Sequence, residues 1–173
     1  MTRIILAVCL VLTGCAMTKP VQMTKAFNAA EAQNALRRGT NIIRGSALIR
    51  QAGGGVVTCA GSQVDLVPAT EYATERMMIY YKSVSSGYLP AEAPNVINPP
   101  SVPATTDAQY TKLARLTTCD AQGFFSFSDV ADGSYYLITS VVWRVGYNVQ
   151  GGALMKRVDL QGGSPIVEVV LTP

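Results

Sequence analysis

The feature that most constrains the fold is a two-residue alternation of apolar and polar side chains that restarts about seven times along the chain, between glycine-rich breaks. Ile43, Gly45, Ala47 and Ile49 fall on one side of the first such run and Arg44, Ser46 and Arg50 on the other. The pattern returns in Val56–Cys59, in Gln63–Val67, in Lys112–Thr118 and at Phe125 and Phe127. It continues through Tyr135, Leu137, Thr139, Val141 and Trp143, then Val158 and Leu160, and last Ile166 to Leu171. Successive strand side chains point to opposite faces, so each run can bury one face only. Short strands of this kind, broken at Gly53-Gly54-Gly55, Gly151-Gly152 and Gly162-Gly163, predict a mainly β protein, an antiparallel sandwich or barrel. No internal repeat suggests a solenoid.

Two segments have a helical period instead. Thr24 is placed to cap a helix from Lys25 to about Arg38, ended by Gly39, with a thin apolar stripe of Phe27, Ala30 and Leu36. A second helix is inserted after Pro68 and Thr70, with Glu71 near its positive end and Ala73, Met77, Tyr80 and Tyr81 at helical spacing. Ser83 to Thr106 follows, and Pro90, Pro94, Pro99, Pro100 and Pro103 exclude a central strand or a helix there. Two readings of this proline-rich loop stay open: a crossover that covers an edge, and an exposed recognition segment.

The N-terminus reads as an address. Arg3 precedes nine apolar residues, Ile4 to Leu12, which match a secretory signal and fall short of the roughly 20 that a spanning helix needs. The run ends in Leu12-Thr13-Gly14-Cys15, which resembles the lipobox of bacterial lipoprotein precursors. The resemblance implies cleavage before Cys15, lipidation of the Cys15 thiol and a membrane partner held through that lipid. Several acyl chains anchor stably where one does not. In that family an aspartate after the cysteine commonly retains the protein at the inner membrane; Ala16 stands there instead, which implies the outer membrane, facing the periplasm. The expected organisation is a signal peptide over 1–14, a tether and short helix over 15–40, and a β domain over 41–173.

Charge and residue usage narrow the function. The chain of 173 residues carries Lys+Arg 14 against Asp+Glu 11, a net +3 that is too slight a field for nucleic acid as a partner. It contains no histidine, so the commonest general base and metal ligand are missing. With Cys9 cleaved away and Cys15 lipidated, Cys59 and Cys119 remain, and an oxidising compartment favours a disulfide between them over two buried thiols or a zinc site. Asp120, Asp129 and Asp132 lack the dense spacing of a calcium loop and suit turns. Glu71 and Glu75 lie one helical turn apart, where a solvated helix face explains them better than a glycosidase pair. The expectation is a protein that is not an enzyme and carries no catalytic residue, metal or cofactor.

The stretch from Asp120 to Leu137, Asp-Ala-Gln-Gly-Phe-Phe-Ser-Phe-Ser-Asp-Val-Ala-Asp-Gly-Ser-Tyr-Tyr-Leu, resembles the signature of carboxypeptidase-regulatory-like domains. That resemblance implies a prealbumin-like, Ig-like β-sandwich and is nearly silent on activity; residues 70–106 depart from the compact family pattern. Some relatives carry internal isopeptide bonds, but neither the first strand, Ile42 to Gln51, nor the last, Pro165 to Leu171, supplies the partner, so none is expected. Tyrosine is concentrated around the loop at Tyr72, Tyr80, Tyr81, Tyr88 and Tyr110, with Tyr147 further on. Tyr80, Tyr81, Tyr88 and Tyr110 form the candidate binding set, suited to protein or sugar contacts; closing the ends of the sandwich is the other reading. The expected function is a non-catalytic structural or protein-interaction module of the envelope with an envelope protein partner. The alternative is a module that binds a glycan, either carbohydrate or peptidoglycan.

Overall fold

The computed structural model describes residues 21–92, 100–162 and 166–173. The signal segment, Cys15, Ala16, Pro94 and Pro99 lie outside the described residues. In chain order the elements are β1 (Val21–Gln22), α1 (Ala29–Ala35), β2 (Arg38–Arg50), β3 (Val56–Thr58), β4 (Gln63–Pro68), α2 (Glu71–Tyr81), β5 (Ser86–Pro90), β6 (Pro100–Ser101), α3 (Ala104–Lys112), β7 (Arg115–Thr118), β8 (Phe124–Val130), β9 (Gly133–Val145), β10 (Asn148–Leu160) and β11 (Ile166–Leu171). No described helix is long and apolar enough to cross a membrane.

The alternating runs build two facing sheets, a β-sandwich. One has the order β5-β10-β9-β4-β7; in the other, β11, β3 and β8 all pair with β2. Their inward side chains form one core, among them Ile43, Val64, Leu66, Phe125, Phe127, Tyr135, Leu137, Leu154 and Leu171. Cys59 and Cys119 form a disulfide with Cα atoms 5.8 Å apart, tying the end of β3 in one sheet to the end of β7 in the other. Between β7 and β8 the Asp120 carboxylate accepts from the backbone N–H groups of Gln122 (2.9 Å) and Phe124 (2.8 Å). Gly123 turns the chain there at φ +85°.

Not every pair is antiparallel. The last strand, β11, runs parallel to β2, from Ile166 opposite Ile42 to Leu171 opposite Ala47. It enters the second sheet from β10 of the first, and a chain that changes sheet is not held to hairpin geometry.

A further layer covers the outward face of the five-stranded sheet. Val67, Tyr136 and Met155 point away from the sandwich and pack with Ala73 and Met77 of α2 into a second apolar cluster. The molecule is thus helices on sheet on sheet.

Several elements differ from the sequence reading. The first helix is Ala29–Ala35, capped by Asn28 rather than Thr24, and Arg38 and Gly39 belong to a strand. A Cβ on Gly39 would lie 2.3 Å from the Cα of Ala131, so Gly39 serves close strand approach and not a helix stop. The proline-rich segment holds an edge strand, β5, and a second inserted helix, α3, which starts after Pro103, where the missing proline N–H leaves no helix bond unmade. Gly151 and Gly152 do not break a strand but lie inside β10. A Cβ at Gly152 would sit 2.1 Å from the Leu89 carbonyl oxygen. Trp143 is half-buried against the core, its Nε1 donating to Gln150 Oε1 at 2.9 Å.

Candidate functional site

The site is built where α2 and α3 part over the outward face of the first sheet. A cavity of about 260 Å³ opens there, floored by Asp65 and Val67 of β4 and Ile138 of β9, with Leu89 of β5 beside them. Its walls are Arg76, Met77, Tyr80 and Tyr81 of α2 and Tyr110 and Thr111 of α3. Local chemistry places α2: the Thr70 hydroxyl accepts from Ala73 N–H at 3.2 Å, and Lys82 ends the helix at φ 56°.

Arg76 organises the polar half. It is 8% exposed, and its Nη1 donates to Asp107 Oδ1 at 2.8 Å and to the Tyr72 hydroxyl at 3.4 Å. Its guanidinium carbon lies 4.6 Å from the centre of the Tyr110 ring and 5.8 Å from that of Tyr80, within cation–π range. Burial works against its charge, but the Tyr72 hydroxyl together with Tyr110, the Asp107 carboxylate and Tyr80 more than offsets this and raises its pKa. Burial also pushes the Tyr81 and Tyr110 phenols well above their ordinary value, so both remain protonated donors. The Tyr110 hydroxyl is buried without a hydrogen-bond partner among the described residues. Neither Tyr80 nor Tyr81 bonds through its hydroxyl to another described residue.

The chain N-terminal to the domain closes the rear of the site. Phe27 packs on Tyr72 and Tyr110, with ring centres 5.3 and 6.1 Å apart. The Glu75 carboxylate accepts from Thr24 N–H (2.9 Å), the Thr24 hydroxyl (2.8 Å) and Lys25 N–H (2.8 Å). Lys25 pairs with Glu71 at 3.0 Å. The two glutamates are therefore more than a solvated helix face: both hold this segment.

Of the four candidate binding tyrosines, Tyr80, Tyr81 and Tyr110 line one cavity. Tyr88 does not join them: it donates its hydroxyl to the Gly151 carbonyl at 2.8 Å and packs against the sandwich core. Tyr147 is fully exposed at the β9–β10 turn. Asp120 stabilises its turn, Asp132 accepts from the buried Asn41 at 2.9 Å, and Asp129 adopts φ 54°. Sequence reasoning missed Asp65, Arg76 and Asp107. Arg76 did carry a signal, since Tyr72 and Tyr80 lie four residues to either side on one helix face.

A larger concavity, about 660 Å³, lies elsewhere, on the outward face of the second sheet between Arg44, Ser46, Phe124, Ser126, Glu168 and Val170. It offers one exposed ring, that of Phe124. The smaller cavity concentrates three phenols, a buried guanidinium and a carboxylate, and chemistry rather than volume identifies it as the candidate site.

No family model matches the chain, and neither does any curated protein. Among solved structures, one of a candidate carbohydrate binding protein from Pseudomonas aeruginosa superposes with a TM-score of 0.68. The two chains are 23% identical, over 86% of this chain and 99% of the other, a likeness that establishes a shared fold.

Proposed function

We propose that this protein is a non-catalytic, lipid-anchored module of the bacterial envelope that binds a saccharide in the cavity between α2, α3 and the first sheet. The observation that carries the reading is the joint placement of Tyr80, Tyr81, Tyr110, Arg76 and Asp65 around one ring-sized space. Aromatic faces meet the C–H faces of a sugar, while phenol, guanidinium and carboxylate groups exchange hydrogen bonds with its hydroxyls. The description of the structurally similar Pseudomonas protein points the same way. Anchoring rests on the Leu12-Thr13-Gly14-Cys15 motif, and the absence of histidine favours binding over turnover.

The test is calorimetric titration of the purified full chain in detergent with a panel of mono- and oligosaccharides and peptidoglycan fragments. Binding to one class, weakened at least about tenfold by Tyr80→Ala and by Tyr81→Ala but not by Tyr147→Ala, supports the reading. No binding anywhere in the panel overturns it.

A second reading as a protein-interaction module has its own observation. The β9–β10 ribbon runs past the strands that flank it and exposes Val142, Val145 and Tyr147 near its turn. In-cell crosslinking that yields a partner protein at fixed stoichiometry, lost on Tyr147→Ser and Val145→Ser, favours this reading.

A further inference from the structure

We infer that the cavity takes a single uncharged sugar ring, a neutral hexose rather than a uronic acid, and reads it as a free monosaccharide or as the end of a chain. This rests on the saccharide reading above and specifies its ligand.

Size is the first argument. At about 260 Å³ the cavity lies below the roughly 300–1,000 Å³ of pockets that enclose drug-sized ligands, so a second ring has to lie outside it.

Charge is the second. The charged side chains on its walls are Arg76 and Asp65. Arg76 is already neutralised by Asp107 at 2.8 Å. Asp65 belongs to no ion pair among the described residues and is held only by the amide of Gln63, at 2.6 Å. The walls therefore carry one surplus negative charge, which repels a carboxylate or phosphate on the ligand.

The inventory of bonding groups is the third. Among the described residues, the Tyr80 and Tyr81 hydroxyls bond to no other residue and Arg76 gives only Nη1 to its partners. Its remaining N–H groups and the second Asp65 oxygen complete a set of donors and acceptors that suits vicinal hydroxyls, each of which both donates and accepts.

The experiment titrates the full chain in detergent, at neutral pH, with glucose, galactose and mannose as methyl glycosides and with the matching uronic acids. At least one neutral glycoside should bind, its uronate about tenfold or more weaker, and Asp65→Asn, which also removes an acceptor from the neutral ligand, should close most of that gap, the ratio of the two affinities being the readout. Added salt should narrow the gap in the unmodified protein, a readout that remains if the variant fails to fold. A second ring linked to the preferred sugar should change affinity less than about threefold. A uronate that binds as tightly as its neutral parent, a gap that neither salt nor Asp65→Asn reduces, or a tenfold gain from a second ring overturns the inference while leaving saccharide binding intact. If none of these monosaccharides binds while an oligosaccharide or peptidoglycan fragment does, this inference fails alone; if no glycan of any size binds, the saccharide reading fails and this inference with it.

Discussion

Gly123 shows how much a single residue decides. It turns the chain from the Asp120 loop into β8 at φ +85°, and a Cβ there would lie 2.5 Å from the Cβ of Thr58. Backbone strain and steric overlap therefore act together. Gly123→Ala should cost about 1–3 kcal/mol, measured by denaturant unfolding. Cys59 and Cys119, 60 residues apart, are joined across the sandwich. Either cysteine changed to alanine should lower stability by a similar amount, about 4 kcal/mol by the chain-entropy argument for a loop of this length. A thiol assay on unfolded, unreduced protein should find neither cysteine free. The turn glycine and the cysteine pair were both legible from residue type, because each chemistry admits few alternatives.

At the scale of elements, the informative unit is the clasp between the N-terminal segment and α2. Burial raises the pKa of Glu75, but the N–H groups of Thr24 and Lys25 and the Thr24 hydroxyl pull it further down, and the net position is below the ordinary value. The sign follows from linkage. A carboxylate with a depressed folded pKa contributes stability above its unfolded value, about 4.3, and loses it as the pH falls through the lower folded value. The clasp should therefore hold at neutral pH and release in acid. Glu75→Gln should weaken it at neutral pH and make little difference in acid, where the carboxyl is already protonated, and limited proteolysis should cut the variant between residues 21 and 28 faster than the unmodified chain at pH 7. Here the sequence misled, because helix formers from Lys25 to Arg38 read as one helix. Asn28 caps late and Arg38 pairs with Val130 of β8, so tertiary strand pairing overrode local propensity.

Across the whole molecule, the domain and its anchor are separate predictions. Cys15→Ser should move the protein from the detergent-extracted membrane fraction to the soluble fraction, as seen by fractionation and immunoblotting. Membrane retention of that variant would refute the lipobox reading. Saccharide binding should be unchanged in the variant, since Cys15 lies six residues before Val21 and the cavity is built from the domain.

The sequence by itself determined the class of fold, the run of inward-facing residues from Ile43 to Leu171, the Asp120 turn and the two cysteines that pair. Periodicity, turn chemistry and covalent chemistry are local, and each is written in a few neighbouring residues. Only the tertiary structure decided that β11 runs parallel, that the proline-rich insert supplies an edge strand and a helix, and that Tyr88 leaves the tyrosine group while Asp65, Arg76 and Asp107 join it. Those outcomes depend on which faces pack. The outward face of the first sheet carries enough apolar surface, at Val67, Tyr136 and Met155, to recruit α2. Residues from β4, α2 and α3 meet in one cavity only because that layer forms.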